Sequence, residues 1–138
     1  EIDWFARNLG EALNTLDQAI TIVDQRYQQY VKEVDFIKRF VFPGGSLPSI
    51  GRMTDAVSRK TDLVVRQLQD IGFDYGKTLK HWCDNFMQAR DKVHHLGYDD
   101  NFIRLWQFYL CYCEGGFIER ATSAVHMVLS KPLNRSKV

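Results

Sequence analysis

Apolar positions in this chain recur with two periods, three-to-four and two, and each switch between them marks an element boundary. Ile2, Phe5, Ala6, Leu9 and Leu13 stand at helical spacing, and a β-branched run over residues 19–23 follows almost at once as a buried strand. Residues 25–40 carry Tyr27, Tyr30, Val31, Val34 and Ile37 towards one side, as an inserted helix would. A short helix is expected over residues 53–58 and a strand over residues 62–69. Across residues 75–96, Leu79, Trp82, Phe86, Ala89 and Val93 lie three or four apart, which predicts one amphipathic helix ended by Gly97. Asp99 or Asp100 is placed to cap the next helix, whose Phe102, Leu105, Trp106, Tyr109, Leu110, Cys113 and Phe117 form one stripe. The last strand, over residues 123–129, puts Val125, Met127 and Leu129 on one face and His126 on the less apolar one; Lys131-Pro132 stops it. A polar, basic tail over residues 133–138 is expected to be disordered. Strands separated by helices, without an internal repeat, predict the α/β class.

One stretch fits neither period. From Phe40 to Gly51 the chain reads Phe40-Val41-Phe42-Pro43-Gly44-Gly45-Ser46-Leu47-Pro48-Ser49-Ile50-Gly51, with prolines and glycines that break regular structure. Its Phe40, Phe42, Leu47 and Ile50 are not the residues of a solvated linker, so this irregular loop packs over something apolar, either core or ligand.

Composition narrows the picture. At 138 residues and 45% hydrophobic, the chain has enough apolar material for one domain with its own core. Aromatics, at 13%, suit a large core or a greasy cavity equally. A net charge of +1 is too balanced to argue for a nucleic-acid partner. No apolar run approaches the roughly 20 residues that span a bilayer, and no signal peptide is visible. Cys83, Cys111 and Cys113 are odd in number and embedded in helical patterns, which points to a reducing cytoplasm rather than a disulfide framework. Cys111 and Cys113 diverge by about 200° on a helix of ~3.6 residues per turn, and His94 and His95 also point apart, so a zinc site is not expected. Nor is there a Ser/His/Asp arrangement or a phosphate loop.

The Pro-Gly loop, followed by Asp70-Ile71-Gly72-x-x-Tyr75-x-x-Thr78-Leu79-x-x-Trp82, resembles the cyclopropane-fatty-acyl-phospholipid synthases and mycolic acid cyclopropane synthases. The resemblance also takes in Gln18-Ala19-Ile20-Thr21-Ile22, Phe108-Tyr109-Leu110-x-x-Cys113-Glu114-x-x-Phe117 and Val125-His126-Met127-Val128-Leu129-x-Lys131-Pro132. It runs from about Gln18 to Pro132 with the motifs in order. It implies an S-adenosylmethionine-dependent enzyme acting on unsaturated fatty-acyl chains of phospholipids. The fold implied is the C-terminal portion of a Rossmann-like methyltransferase: helix-rich α/β, with a helical lid insertion and the last three strands. No Gly-x-Gly loop follows a strand in this sequence, so most of the cofactor site is expected outside it. Only Asn14-Thr15-Leu16-Asp17 separate the first predicted helix and strand, where the family has a Pro/Gly turn and several more residues.

The family's chemistry implies roles for particular residues. After methyl transfer to the double bond, ring closure needs a base, which the resemblance implies is a bound bicarbonate. Tyr75 matches the family's tyrosine ligand, and Ile20 the residue that offers its backbone. Gln18 stands where the family has histidine; it can hydrogen-bond an anion but cannot carry charge or move a proton. Phe42, Pro43, Gly44, Gly45, Leu47 and Pro48 of the loop, with Tyr109, Cys113 and Phe117, are the candidate acyl-chain contacts. Each has a plain packing alternative: Tyr75 and the stripe as core, Gln18 as a backbone partner. A non-catalytic helical module that binds an acyl chain or a partner is the competing function. Lys38, Arg39, Arg52, Arg59, Lys60 and Arg66 would either meet an anionic membrane surface at the inner face or form a solvated basic face. An uncovered sheet edge would favour self-association, hence a homo-oligomer.

Overall fold

The computed structural model describes residues 14–135. The helix expected over residues 2–13 and the end of the tail, residues 136–138, lie outside them. Among the described residues, three strands form one sheet: β1 (Asn14–Ile22), β2 (Val64–Asp70) and β3 (Thr122–Ser130), in the order β1-β3-β2 with both neighbours antiparallel to β3. The last strand in sequence is therefore the central one. Its composition explains why, since Ala124, Val125, Met127 and Leu129 are fully buried, as only a strand covered on both faces requires.

The flanking strands correct two sequence expectations. β1 is an edge of this sheet with Gln18 and Ile20 exposed and Thr21 and Ile22 buried, not a buried strand throughout. It also begins at Asn14, so the four residues read as a connector pair with β3 instead. β2 is exposed along its whole length and carries a bulge between Val65 and Gln67. The extra residue, Arg66, sends its Nε to the Ser130 hydroxyl at 2.8 Å.

The helices are α1 (Asp24–Tyr30), one π-helical turn (Ile37–Val41), α2 (Ile50–Lys60), α3 (Gly72–Gln88), α4 (Arg90–His95) and α5 (Asp100–Ile118). The single helix expected over residues 25–40 is thus two pieces. α1 buries no residue, and Lys38 folds back so that its ammonium donates to the Tyr30 carbonyl and, at 2.8 Å, to that of Glu33. The helix expected over residues 75–96 is also divided, at Ala89 (φ −89°, ψ 10°). The break turns α4 towards the start of α5, where Arg90 and His94 approach the Asp100 carboxylate at 2.7 and 3.2 Å. Gly97 provides the left-handed φ of 95° that ends this segment, and Asp99 caps α5 by accepting from the Phe102 N–H at 2.9 Å. Ser49 caps α2 through the Arg52 N–H, extending that helix beyond the expected residues 53–58.

Two clusters cover the two faces of β3. Met53 and Val57 of α2 pack with Leu63, Met127 and Leu129 on one side. Leu79 and Cys83 of α3 pack with Leu110 and Phe117 of α5 and with Ala124 on the other. Within α5 the fully buried positions are Ile103, Leu110 and Phe117, seven residues apart. The expected stripe is therefore narrower in its buried part; Leu105 is exposed, and Phe102, Trp106, Tyr109 and Cys113 are half-buried along its flank.

Candidate functional site

Because β1 and β2 both run antiparallel to β3, their carboxyl ends point the same way. Ligands in open α/β sheets bind outside such ends. Here Asp70, the last residue of β2, accepts from the Gly72 N–H at 2.8 Å and the Ser123 hydroxyl at 2.5 Å, fixing the turn into α3. A side chain at Gly72 would collide with Ser123, so the close approach requires glycine. A cavity of about 370 Å³ opens there, lined by residues that include Val23, Asp70, Phe73 and Arg120.

Tyr75 lies one turn into α3. Its half-buried ring packs at 5.0 Å from Phe117 and 6.3 Å from Trp82, against the cluster that holds Ala124. Beside it, residues of α3 and α5 line an apolar cleft of about 430 Å³. Leu79, Trp82 and Phe86 form one wall, Trp106, Tyr109 and Leu110 the other. Phe42 from the Pro-Gly loop completes it, 54% exposed and edge-on to Tyr109 at 6.2 Å.

The polar groups beside this cleft are kept neutral. Burial pushes the Cys113 thiol up to about 11 despite its hydrogen bond with Tyr109. Burial raises the Tyr109 hydroxyl as well, with Cys113 adding to the effect. A thiol and a phenol that both stay protonated near neutral pH leave the cleft without charge.

Gln18 and Ile20 lie on β1, on the same face of the sheet as Ala124. Gln18 pairs with His126, whose Nε2 is 3.1 Å from the Gln18 Oε1. Ile20 pairs with Ala124, a member of the cluster against which Tyr75 packs. The Ile22 N–H donates to the Pro48 carbonyl at 2.9 Å, away from β3, so two residues back the Ile20 N–H is directed to that same outer edge. The structure thus gathers Phe42, Tyr75, Tyr109, Cys113 and Phe117 around α3 and α5, with Phe117 buried beneath the cleft rather than lining it. Pro43 and Gly44 are exposed, and Gly45 closes a turn on the Phe42 carbonyl at 2.9 Å. Leu47 donates its N–H to the Tyr30 hydroxyl at 3.0 Å and Pro48 binds β1, so this part of the loop anchors Phe42 rather than lining the cleft itself. Sequence reading missed Trp82, Phe86 and Trp106 as lining residues. Their aromatic character at helical spacing was visible, but it serves a closed core equally well.

A family model described as mycolic acid cyclopropane synthetase matches residues 5–127. The chain belongs to the mycolic acid cyclopropane synthetase family. Tuberculostearic acid methyltransferase UfaA1 of Mycobacterium tuberculosis is 38% identical over 100 residues, which are 72% of this chain and 23% of the relative. Cyclopropane-fatty-acyl-phospholipid synthase of Escherichia coli is 30% identical over 96 residues, 70% of this chain and 24% of the relative. Among solved structures, the cyclopropane synthase MmaA2 from Mycobacterium tuberculosis shares the fold with a TM-score of 0.79 at 20% identity, over 94% of this chain and 49% of that one. The mycolic acid cyclopropane synthase CmaA1, complexed with SAH and CTAB, does so at 0.78 and 21%, with the same coverage. The chain therefore spans about a quarter of these curated relatives and about half of the solved structures. Its helix-rich α/β arrangement with a small antiparallel sheet is that of the family's methyltransferase fold. Among the described residues, no helix is long and apolar enough to cross a membrane, and no three His, Cys, Asp or Glu side chains gather as a metal site would need.

Proposed function

We propose that this chain is the acyl-binding, C-terminal part of an S-adenosylmethionine-dependent fatty-acyl methyltransferase. The enzyme adds a methylene or methyl group across a double bond in a phospholipid acyl chain. The observation that carries this reading is the uncharged cleft between α3 and α5, walled by Leu79, Trp82, Phe86, Trp106, Tyr109 and Leu110. Its volume of about 430 Å³ falls within the range of ligand pockets, roughly 300–1,000 Å³. The names of the curated relatives, a tuberculostearic acid methyltransferase and a cyclopropane-fatty-acyl-phospholipid synthase, support the substrate class.

The residues present do not fit a whole nucleotide cofactor, since no Gly-x-Gly loop follows a strand. The S-adenosylmethionine site accordingly falls mostly outside this chain. The residues do suit a small anion such as bicarbonate: the Tyr75 hydroxyl, the Gln18 amide and the Ile20 N–H are all donors. With its Nε2 protonated, His126 donates to the Gln18 oxygen and leaves the Gln18 NH2 group for an anion. When bound, the cofactor supplies the methyl group and the anion supplies a base. What this chain contributes is position and dryness. The aromatic faces of Trp82, Phe86 and Trp106 favour positive charge developing on an acyl chain, and the apolar walls exclude water that would trap it. Phe40 and Phe42, each more than half exposed beside Arg39, provide a peripheral contact to an anionic membrane on the cytoplasmic side.

Trp82→Asp in the full-length protein tests the reading. Trp82 is half exposed, so the fold survives, while a carboxylate in the wall disfavours an acyl chain by several kcal/mol in rough terms. Mass spectrometry of the lipid product should show turnover abolished with the melting temperature little changed. Wild-type turnover in this variant would remove the cleft as the acyl site. Acyl binding by the unmodified protein without any methylated product would leave the non-catalytic binding module.

A further inference from the structure

The two thiols between α3 and α5 stand outside this chemistry. Cys83 of α3 is buried, Cys111 of α5 is exposed, and their sulfur atoms are 3.7 Å apart across 28 residues of sequence. A disulfide needs about 2.05 Å, a distance that side-chain rotation and a small helix adjustment can close from here. We propose that Cys83 and Cys111 form a redox-sensitive pair that closes to a disulfide when a hydroperoxide oxidises the exposed thiol. This goes beyond the acyl-transfer reading and does not depend on it.

The division of labour follows from burial. Cys111 meets solvent and is the sulfur that a peroxide reaches. Cys83 is shielded, and burial followed by its contact with Cys111 raises its thiol above the ordinary range, so it acts second. In the first step the Cys111 sulfur attacks the peroxide and the O–O bond breaks. One oxygen stays on sulfur as a sulfenic acid, and the other leaves as water or an alcohol. In the second step the Cys83 sulfur attacks the Cys111 sulfur, the S–S bond forms, and the hydroxyl leaves as water with the Cys83 proton. The two thiols give up two electrons and the peroxide accepts them. Cys113 does not compete, because it projects from another side of α5 and its thiol is pushed up to about 11. Cys83 and Cys111 are outside the lining of the cleft but lie on the two helices that wall it, so the bond would staple α3 to α5.

The full-length protein should be treated with hydrogen peroxide, its free thiols alkylated, and its peptides mapped without reduction. A Cys83–Cys111 linked peptide that disappears with dithiothreitol, together with a melting temperature raised by oxidation, is expected. Cys111→Ser, at an exposed site, should keep the fold and leave Cys83 reduced. Cys111 driven to sulfinic or sulfonic acid while Cys83 remains alkylatable would overturn the proposal. So would a bond from either residue to Cys113, or oxidation of Cys83 to the same extent in Cys111→Ser.

Discussion

On one side of β3, α2 presses Met53 and Val57 onto Met127 and Leu129; on the other, α3 and α5 pack Leu79, Cys83, Leu110 and Phe117 with Ala124 and line a cleft with Trp82, Phe86, Trp106 and Tyr109. The first side is aliphatic, built from flexible or compact side chains, and closes to leave its central residues fully buried. The second pairs two long helices, with partly buried rings along the flank of their contact. The helices meet at Leu79, Cys83, Leu110 and Phe117, and Trp82, Phe86, Trp106 and Tyr109 line a cleft beside that contact. A small residue in the sheet, Ala124, faces the large ones. One strand thus supports a sealed face that holds the fold and an open face that can take a ligand.

Breaking the sealed face should have the largest effect. Met127→Ala removes a fully buried side chain from beneath α2, at a cost of about 2–5 kcal/mol in denaturant unfolding. If the loss is instead only a few tenths, α2 does not secure the sheet and the contrast between faces fails. Smaller by design is Tyr75→Phe on the open face, which deletes a hydroxyl and almost no volume. Stability should change by about 1 kcal/mol or less. Turnover should fall with S-adenosylmethionine affinity nearly unchanged, and added bicarbonate should restore part of the rate by mass action. Wild-type turnover at limiting bicarbonate would return Tyr75 to a packing role.

The smallest perturbation is chemical labelling of Cys113. Its thiol ionises near about 11 rather than 9.0, because burial disfavours the thiolate. A raised value means less of the reactive form at a given pH, so near pH 8 alkylation should be roughly a hundredfold slower than for a free peptide thiol. The rate should climb as pH rises towards that value. Labelling as fast as a free thiol at pH 8 would show the open face to be wet, and the dry-cleft reading would lose its support.

Much of the architecture was legible along the chain. The strand near residues 19–23, the caps at Asp99 and Gly97, and the alternation of Val125, Met127 and Leu129 all depend on neighbours a few residues apart. Such local patterns survive in a one-dimensional reading. Element lengths were less legible where long-range contacts compete. Lys38 reaches back to Tyr30 and Glu33 and breaks one predicted helix, while Ala89 breaks another so that α4 turns towards the start of α5. The candidate site divides in the same way. Tyr75, Gln18 and Ile20 were named from motif positions, but nothing in the sequence set Gln18 beside His126 or Ile20 beside Ala124. These are cross-strand neighbours more than a hundred residues apart, and register alone joins them.

By itself, then, the sequence determined the kinds of element, their order and the family, because periodicity, capping residues and spaced motifs are local properties. The tertiary structure decided which aromatics line a cleft and which fill a core. Phe117 and Trp106 belong to one helical stripe, yet the first lies buried against Tyr75 and the second faces open space. The difference comes from which side of α5 meets α3 and the sheet, which is settled only when the elements pack together.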